Sequence, residues 1–249
     1  TETHSNIALK FNRMANAGNL VLFYQFDEGT GTTVKDRSQG GVECRGTITA
    51  GGSDWAAGGT FTYGTSTVLM TGTGNYTNKN ANTQTYNFTT TGNTTMIDVD
   101  SGNNQFYFRN NLTVTGTLSS NSSEYVRLAE AGITLDLSGD VTEVNEFINA
   151  SGGNINIPAH KTKQWRSYDG ATSTQTGNVE LTYGGNALNL GNGTAGIWYT
   201  NGYDLKTRGI DLNSMSNLYM EKGSSVIFTD FSGCGFENGA GTLNCSGEA

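Results

Sequence analysis

The 249-residue chain carries 14 Lys and Arg against 22 Asp and Glu, a formal charge of −8, with 35 Gly and a single Pro. Phosphate neutralisation needs clustered cations, so nucleic-acid binding is not expected, and no apolar run approaches the roughly 20 residues of a membrane-spanning helix. Apolar residues make up only 35% of the chain, yet they include 11 Tyr, 11 Phe and three Trp in short alternating runs. That patterning predicts ordered β-structure rather than disorder.

Residues 1–18 are mixed in character, carry Lys10 and Arg13, and read as an N-terminal arm or one short helix around Ile7–Met14. From Leu20 to Phe26 a strand is predicted, ended by the turn Asp27-Glu28-Gly29-Thr30-Gly31; Thr32–Val34 gives a second, short strand before a turn at 36–41. Tyr24, Phe26-Asp27-Glu28-Gly29, Gly31-Thr32, Asp36, Ser38 and Gly46-Thr47-Ile48 together resemble the opening of laminin-G-like (concanavalin A-like) lectin modules. The likeness covers Leu20 to Ile48, and the later lectin strands have no counterpart. Next comes Gly64-Thr65-Ser66-Thr67-Val68-Leu69-Met70-Thr71-Gly72-Thr73-Gly74. It is similar to segments of phage and bacterial-surface structural proteins that follow such an opening and lead into Thr/Asn/Gly-rich β-repeats. The combined resemblance implies a virion structural protein: capsid decoration, head fibre or tail-associated.

Further along, Leu112–Leu118 alternates cleanly between apolar and polar residues. Ile133–Leu137 starts 21 residues after Leu112, Ile155–Ile157 follows 22 later and Val179–Leu181 a further 24, each bounded by Gly, Asn or Ser. Short strands at that spacing predict an all-β parallel β-helix or β-solenoid with these runs stacked in register, and Asn, Thr and Gly suit its corners. Beyond Thr194 the runs Ile197–Tyr199, Tyr203–Leu205, Ile210–Leu212, Leu218–Met220 and Val226–Phe228 come closer together, which also fits a mixed β-sandwich. The expected organisation is an arm over 1–18, a laminin-G-like opening over 19–59, and a β-repeat region over 60–249 with an aromatic-rich C-terminal end.

Few residues carry reactive chemistry. His4 and His160 lie far apart, and His160 sits beside Lys161, Lys163 and Arg166 in what reads as a solvated basic loop. Cys234 and Cys245 bracket ten residues able to turn back as a hairpin and are a candidate disulfide, with Cys44 left as a free thiol. Asp98 and Asp100, followed by Ser101-Gly102-Asn103, are weak calcium candidates; no other cofactor is expected. Asp27 with Glu28, or Asp98 with Asp100, would be the carboxylate pair of a glycosidase, but a turn motif and the wet face of a strand account for them. Trp198, Tyr199 and Tyr203 are the candidates for an interface or glycan contact, and adjacent Trp198 and Tyr199 must face opposite sides of a strand. The expectation is therefore a protein that is not an enzyme, placed on a virion or extracellular surface. Its partners would be copies of itself, other virion or surface structural proteins, and host-surface glycan. A bacterial adhesin or glycan-binding module is the alternative, and a tailspike-like polysaccharide-degrading enzyme the third reading.

Overall fold

The computed structural model describes residues 47–52, 54–57, 63–78, 84–98, 105–121, 124–213, 215–229, 236–238 and 242–246. The N-terminal arm, most of the laminin-G-like opening, Cys44, Asp100 and Cys234 lie outside the described residues. Within them the protein is an all-β parallel solenoid, and no helix is long and apolar enough to cross a membrane.

Early coils contribute two strands each. They are β1 (Thr47–Ala50) with β2 (Trp55–Ala57), β3 (Thr67–Met70) with β4 (Gly74–Asn78), β5 (Gln84–Thr90) with β6 (Asn93–Asp98), and β7 (Gln105–Val114) with β8 (Thr117–Ser120). β9 (Tyr125–Leu128) and β10 (Thr134–Asp136) form a transition. Later coils contribute three strands: β11 (Glu146–Asn149), β12 (Asn154–Ile157) and β13 (His160–Thr162), then β14 (Gln164–Ser167), β15 (Thr172–Gln175) and β16 (Val179–Leu181). They continue as β17 (Leu188–Leu190), β18 (Ile197–Tyr199) and β19 (Leu205–Thr207), then β20 (Ile210–Leu212), β21 (Asn217–Glu221) and β22 (Val226–Phe228). β23 (Phe236–Asn238) and β24 (Thr242–Ser246) are the last described strands.

One sheet runs the length of the described solenoid, in the order β1-β3-β5-β7-β9-β11-β14-β17-β20-β23. A second, β2-β4-β6-β8, serves only the early coils; two others, β12-β15-β18-β21-β24 and β13-β16-β19-β22, serve the later ones. The change of cross-section starts inside β7. Register slips at a bulge between Thr85 and Asn87 of β5, where β7 carries an extra residue. One coil later that irregularity has become a full break: β9 pairs with Gln105–Phe108 of β7 and β10 with Asn111–Thr113. One long face of the early coils thus becomes two shorter ones.

Alternation decides which side chains enter the core. Phe106, Val126, Phe147, Trp165, Leu188 and Ile210 occupy one inward column through successive register pairs, all fully buried. Tyr76, Phe88, Phe106 and Phe108 cluster in the early coils with ring centroids 5.0–6.4 Å apart. Buried polar groups find partners: Trp165 Nε1 donates to Ser167 Oγ (3.2 Å), and Asn149 Nδ2 to Ser173 Oγ and the Thr172 carbonyl (both 3.0 Å). Each such bond avoids the full desolvation penalty of an orphaned donor. On the outside, Asn111 Nδ2 donates to Asn87 Oδ1 (2.9 Å) and Asn87 Nδ2 to Thr67 Oγ1 (3.3 Å), a side-chain ladder across three coils.

The corner between the first two sheets is a column of stacked glycines. A Cβ on Gly72, Gly92, Gly116 or Gly139 would lie 2.1–2.4 Å from the backbone of the glycine one coil below. Coils approach too closely there for any side chain.

Two expectations on register need correction. Leu112 stacks on Leu135, not Ile133. Ile155–Ile157 and Val179–Leu181 belong to different sheets, pairing with Ser173–Gln175 and with the His160–Thr162 strand respectively. The coil length varies, from 18 residues between Glu146 and Gln164 to 26 between Ile210 and Phe236, so a constant spacing overshoots onto the next face. Among the described residues coil stacking is already present at Thr47–Ala50, which pairs with Thr67–Met70.

Candidate functional site

The outer face of the long sheet gathers polar and aromatic side chains that are distant in sequence. Register places Tyr107, Arg127, Ile148, Arg166, Asn189 and Asp211 in one outward column. Gln105, Tyr125, Glu146 and Gln164 form the column beside it. Strand spacing sets the rise per coil at about 4.8 Å, so each column is a ladder running along the solenoid axis.

Arg127 is the centre of this face. Its guanidinium lies 5.5 Å from the centroid of Tyr107 and 5.6 Å from that of Tyr168, between two rings whose faces attract a cation. Nη1 donates to Gln105 Oε1 (2.9 Å) and to Tyr168 Oη (2.9 Å). These contacts fix a long, flexible side chain in one orientation. Arg109 and Arg166 on the same face are ion-paired with Glu130 and Glu146, whereas among the described residues no ion pair joins Arg127 to a carboxylate.

Glu146 sits beside Arg127 on an outward position, yet its side chain is only 2% exposed. Its Oε1 lies 2.9 Å from Arg166 Nε. Burial pushes the carboxyl up to about 7 from the usual 4.5, against the opposing pull of the Arg166 guanidinium. Past Arg166 the column opens into a polar hollow of about 400 Å³ lined by Arg166, Asn189, Gly191, Asn192, Gly193 and Asn213. There Asn189 and Asn213 both donate to Asp211 Oδ2 (3.3 and 2.6 Å).

A second hollow, about 770 Å³, lies where the β10 segment meets the β13-β16-β19 face, with Leu135, Pro158, His160, Lys161, Val179 and Glu180 among its lining residues. His160 is not in a solvated loop. Its ring packs inward 6.0 Å from Phe147 and 5.6 Å from Trp165, with Nδ1 2.9 Å from the Pro158 carbonyl. Burial lowers its pKa to about 4, leaving a neutral ring. The neighbouring Lys161, Lys163 and Arg166 are ion-paired with Glu180, Glu143 and Glu146 respectively.

Sequence-predicted site residues fare unevenly. Trp198 is fully buried, donating Nε1 to Gln175 Oε1 (2.9 Å) and packing edge-on to Trp165, so it touches neither a glycan nor a neighbouring subunit. Its register partner Ser173 is likewise inward, which fixes the phase of β18. Tyr199 is the outward member of the pair and stacks on Tyr219 at 4.6 Å, while Tyr203 is 37% exposed in the following turn. Asp98 closes β6 with its backbone N–H donating to Glu124 Oε1 (3.2 Å); its proposed calcium partner Asp100 is outside the described residues. Cys245 lies in β24 in register with Met220, and Cys234, with which a disulfide was expected, is outside the described residues. Among the described residues no group of three or more His, Cys, Asp or Glu side chains is arranged to hold a metal ion.

The Tyr107–Arg127–Glu146–Arg166–Tyr168 face was missed by reading along the chain, because its members become neighbours only through coil register. No family model matches the chain, and no curated protein or solved structure is detectably similar to it.

Proposed function

We propose that the chain is a non-enzymatic structural protein of a virion or extracellular surface, working through assembly and surface adhesion. The observation that carries this reading is where the polar side chains are used. Asn87, Asn111 and Thr67 bond from coil to coil along the outside, as do Asn154 with Thr174 and Thr95 with Ser119. Such ladders reinforce a rod and present a regular surface, the requirement of a scaffold rather than of a reaction centre. Electron microscopy of purified chain and of particles, run beside an assay for release of reducing ends from host-surface polysaccharide, tests it. Regular incorporation without release is the expected result.

Glu146 favours a second reading, polysaccharide hydrolysis. Burial pushes the Glu146 carboxyl up to about 7, the range of a general acid, one half of what glycoside cleavage needs. Robust depolymerisation that Glu146→Gln abolishes would replace the structural reading with this one.

A further inference from the structure

We propose that the outer face around Arg127 is a binding site for an acidic polysaccharide, with a uronate carboxylate seated on the Arg127 guanidinium between Tyr107 and Tyr168. This rests on the adhesive part of the functional reading and names its ligand class.

Three features of the face select the occupant. The first is charge. Arg127 is held by two tyrosine rings and Gln105, and unlike Arg109 and Arg166 it has no carboxylate partner among the described residues. Two acidic groups lie near Tyr168 on this face: Glu146 is ion-paired with Arg166, and exposed Asp169 accepts a bond from Thr194 Oγ1 (2.9 Å). An anion arriving from solvent therefore finds one pre-oriented, unneutralised guanidinium in a chain of net charge −8. The second is surface chemistry. Tyr125 stands in the column beside Arg127, and Asn189 and Asn192 line the adjoining hollow with amides, which both donate and accept as sugar hydroxyls do.

The third is backbone geometry. Within this sheet the N–H and C=O groups of β9, β11 and β14 are spent on parallel pairing with the coils on both sides. An acidic peptide cannot add as an extra strand to the face of a sheet; only side chains are on offer. A linear polymer recognised through ring faces, hydroxyls and carboxylates fits the column running from Tyr107 to the Asn189–Asn213 hollow.

The test is titration calorimetry of the full chain with polygalacturonate, its fully methyl-esterified form, dextran sulfate and poly-glutamate, with reducing ends assayed in the same samples. Polygalacturonate should bind, weaken with added salt, and lose about tenfold or more in affinity with Arg127→Gln and with Tyr107→Ala. Ile227→Ser, on the exposed side of β22 in another sheet, should leave binding unchanged, and circular dichroism of each variant reports whether it is folded. If Arg127→Gln fails to fold, Tyr107→Ala and the esterified polymer carry the test. No binding by the wild-type chain, or equal binding of the esterified polymer, dextran sulfate or poly-glutamate, overturns the inference and leaves the structural reading standing. Release of reducing ends overturns the structural reading instead.

Discussion

At the scale of single residues, the solenoid is most sensitive where atoms have no room and where a charge is kept from water. Gly116 has the Gly92 carbonyl oxygen 2.2 Å from where a Cβ would go, with Thr91 backbone atoms at 2.6 Å. Every atom in the way is backbone, so relief requires two coils to separate. Gly116→Ala should therefore destabilise by about 3 kcal/mol or more, whereas Gly51→Ala, whose Cβ would meet only Thr71 Oγ1 at 3.5 Å, should cost about 1 kcal/mol or less. Urea melts of the two variants give the comparison. Glu146 makes a pH prediction of definite sign. Its folded pKa is raised to about 7 from 4.5, so the folded state binds the extra proton. That contribution is complete below pH 4.5 and is lost as pH rises through 7. His160, its ring packed against Phe147 and Trp165, has the opposite linkage, its pKa lowered to about 4 from 6.5, and it loses stability as pH falls below 6.5. Subtracting the Glu146→Gln melt from the wild-type melt isolates the first effect. The difference should shrink by about 2 kcal/mol between pH 5 and pH 8. A flat difference would mean that Arg166 keeps Glu146 ionised throughout.

At the scale of the strand, β18 shows what alternation settles and what it leaves open. Trp198 and Tyr199 are adjacent and of similar hydrophobic weight, so composition does not choose which one enters the core. The choice follows from the register of β18 on β15, which sets Trp198 over buried Ser173 and Tyr199 over Thr174. Trp198→Ala should cost about 3–5 kcal/mol, since it empties a core position and strands Gln175 Oε1. Tyr199→Ser removes only a half-buried stacked pair with Tyr219 and should cost about 1 kcal/mol. Thermal melts that rank the two in reverse would place Tyr199 in the core. The strand β12 and the end of β7 were legible in the sequence, because Leu112, Val114, Ile155 and Ile157 alternate with polar residues, although the run Leu112–Leu118 turns the corner at Gly116 into β8. Their partners were not, because turns between coils absorb a varying number of residues and a side chain carries no mark of the coil it will stack on. One signal of register was present and unread. Thr71-Gly72, Thr91-Gly92, Thr115-Gly116 and Ser138-Gly139 recur at the same corner, and the glycine must be there for steric reasons. The face around Arg127 stayed hidden for the same cause: Tyr107, Arg127 and Arg166 share a column only once β7, β9, β11 and β14 are aligned.

Across the whole molecule, coils contact mainly their immediate neighbours, so stability should behave as a sum of coil and interface contributions. Removing one coil from a uniform stretch then costs stability without destroying the fold, provided that register is kept. Deleting residues 188–209 joins Ala187 to Ile210 and takes out β17, β18 and β19. β20 would then fall on β14 in the phase that β17 held, since Leu188 and Ile210 are register partners in the intact chain. Such a variant should keep a β-sheet circular dichroism spectrum and unfold cooperatively at a lower temperature. Deleting residues 125–145, which removes β9 and β10, is a different matter. The ten-residue β7 would meet the four-residue β11 directly, although it is matched in the intact chain by β9 and β10 separated by a break. Half of β7 would lose its partner, Arg127 would vanish from the outer column, and the Gly116–Gly139 corner contact would be gone. This variant should unfold or lose cooperativity under conditions where the 188–209 deletion remains native. Size-exclusion chromatography with urea denaturation distinguishes the two. Equal stability of both deletions would show that the two-strand and three-strand halves join without the transition coil, and that the break between β9 and β10 has no structural role.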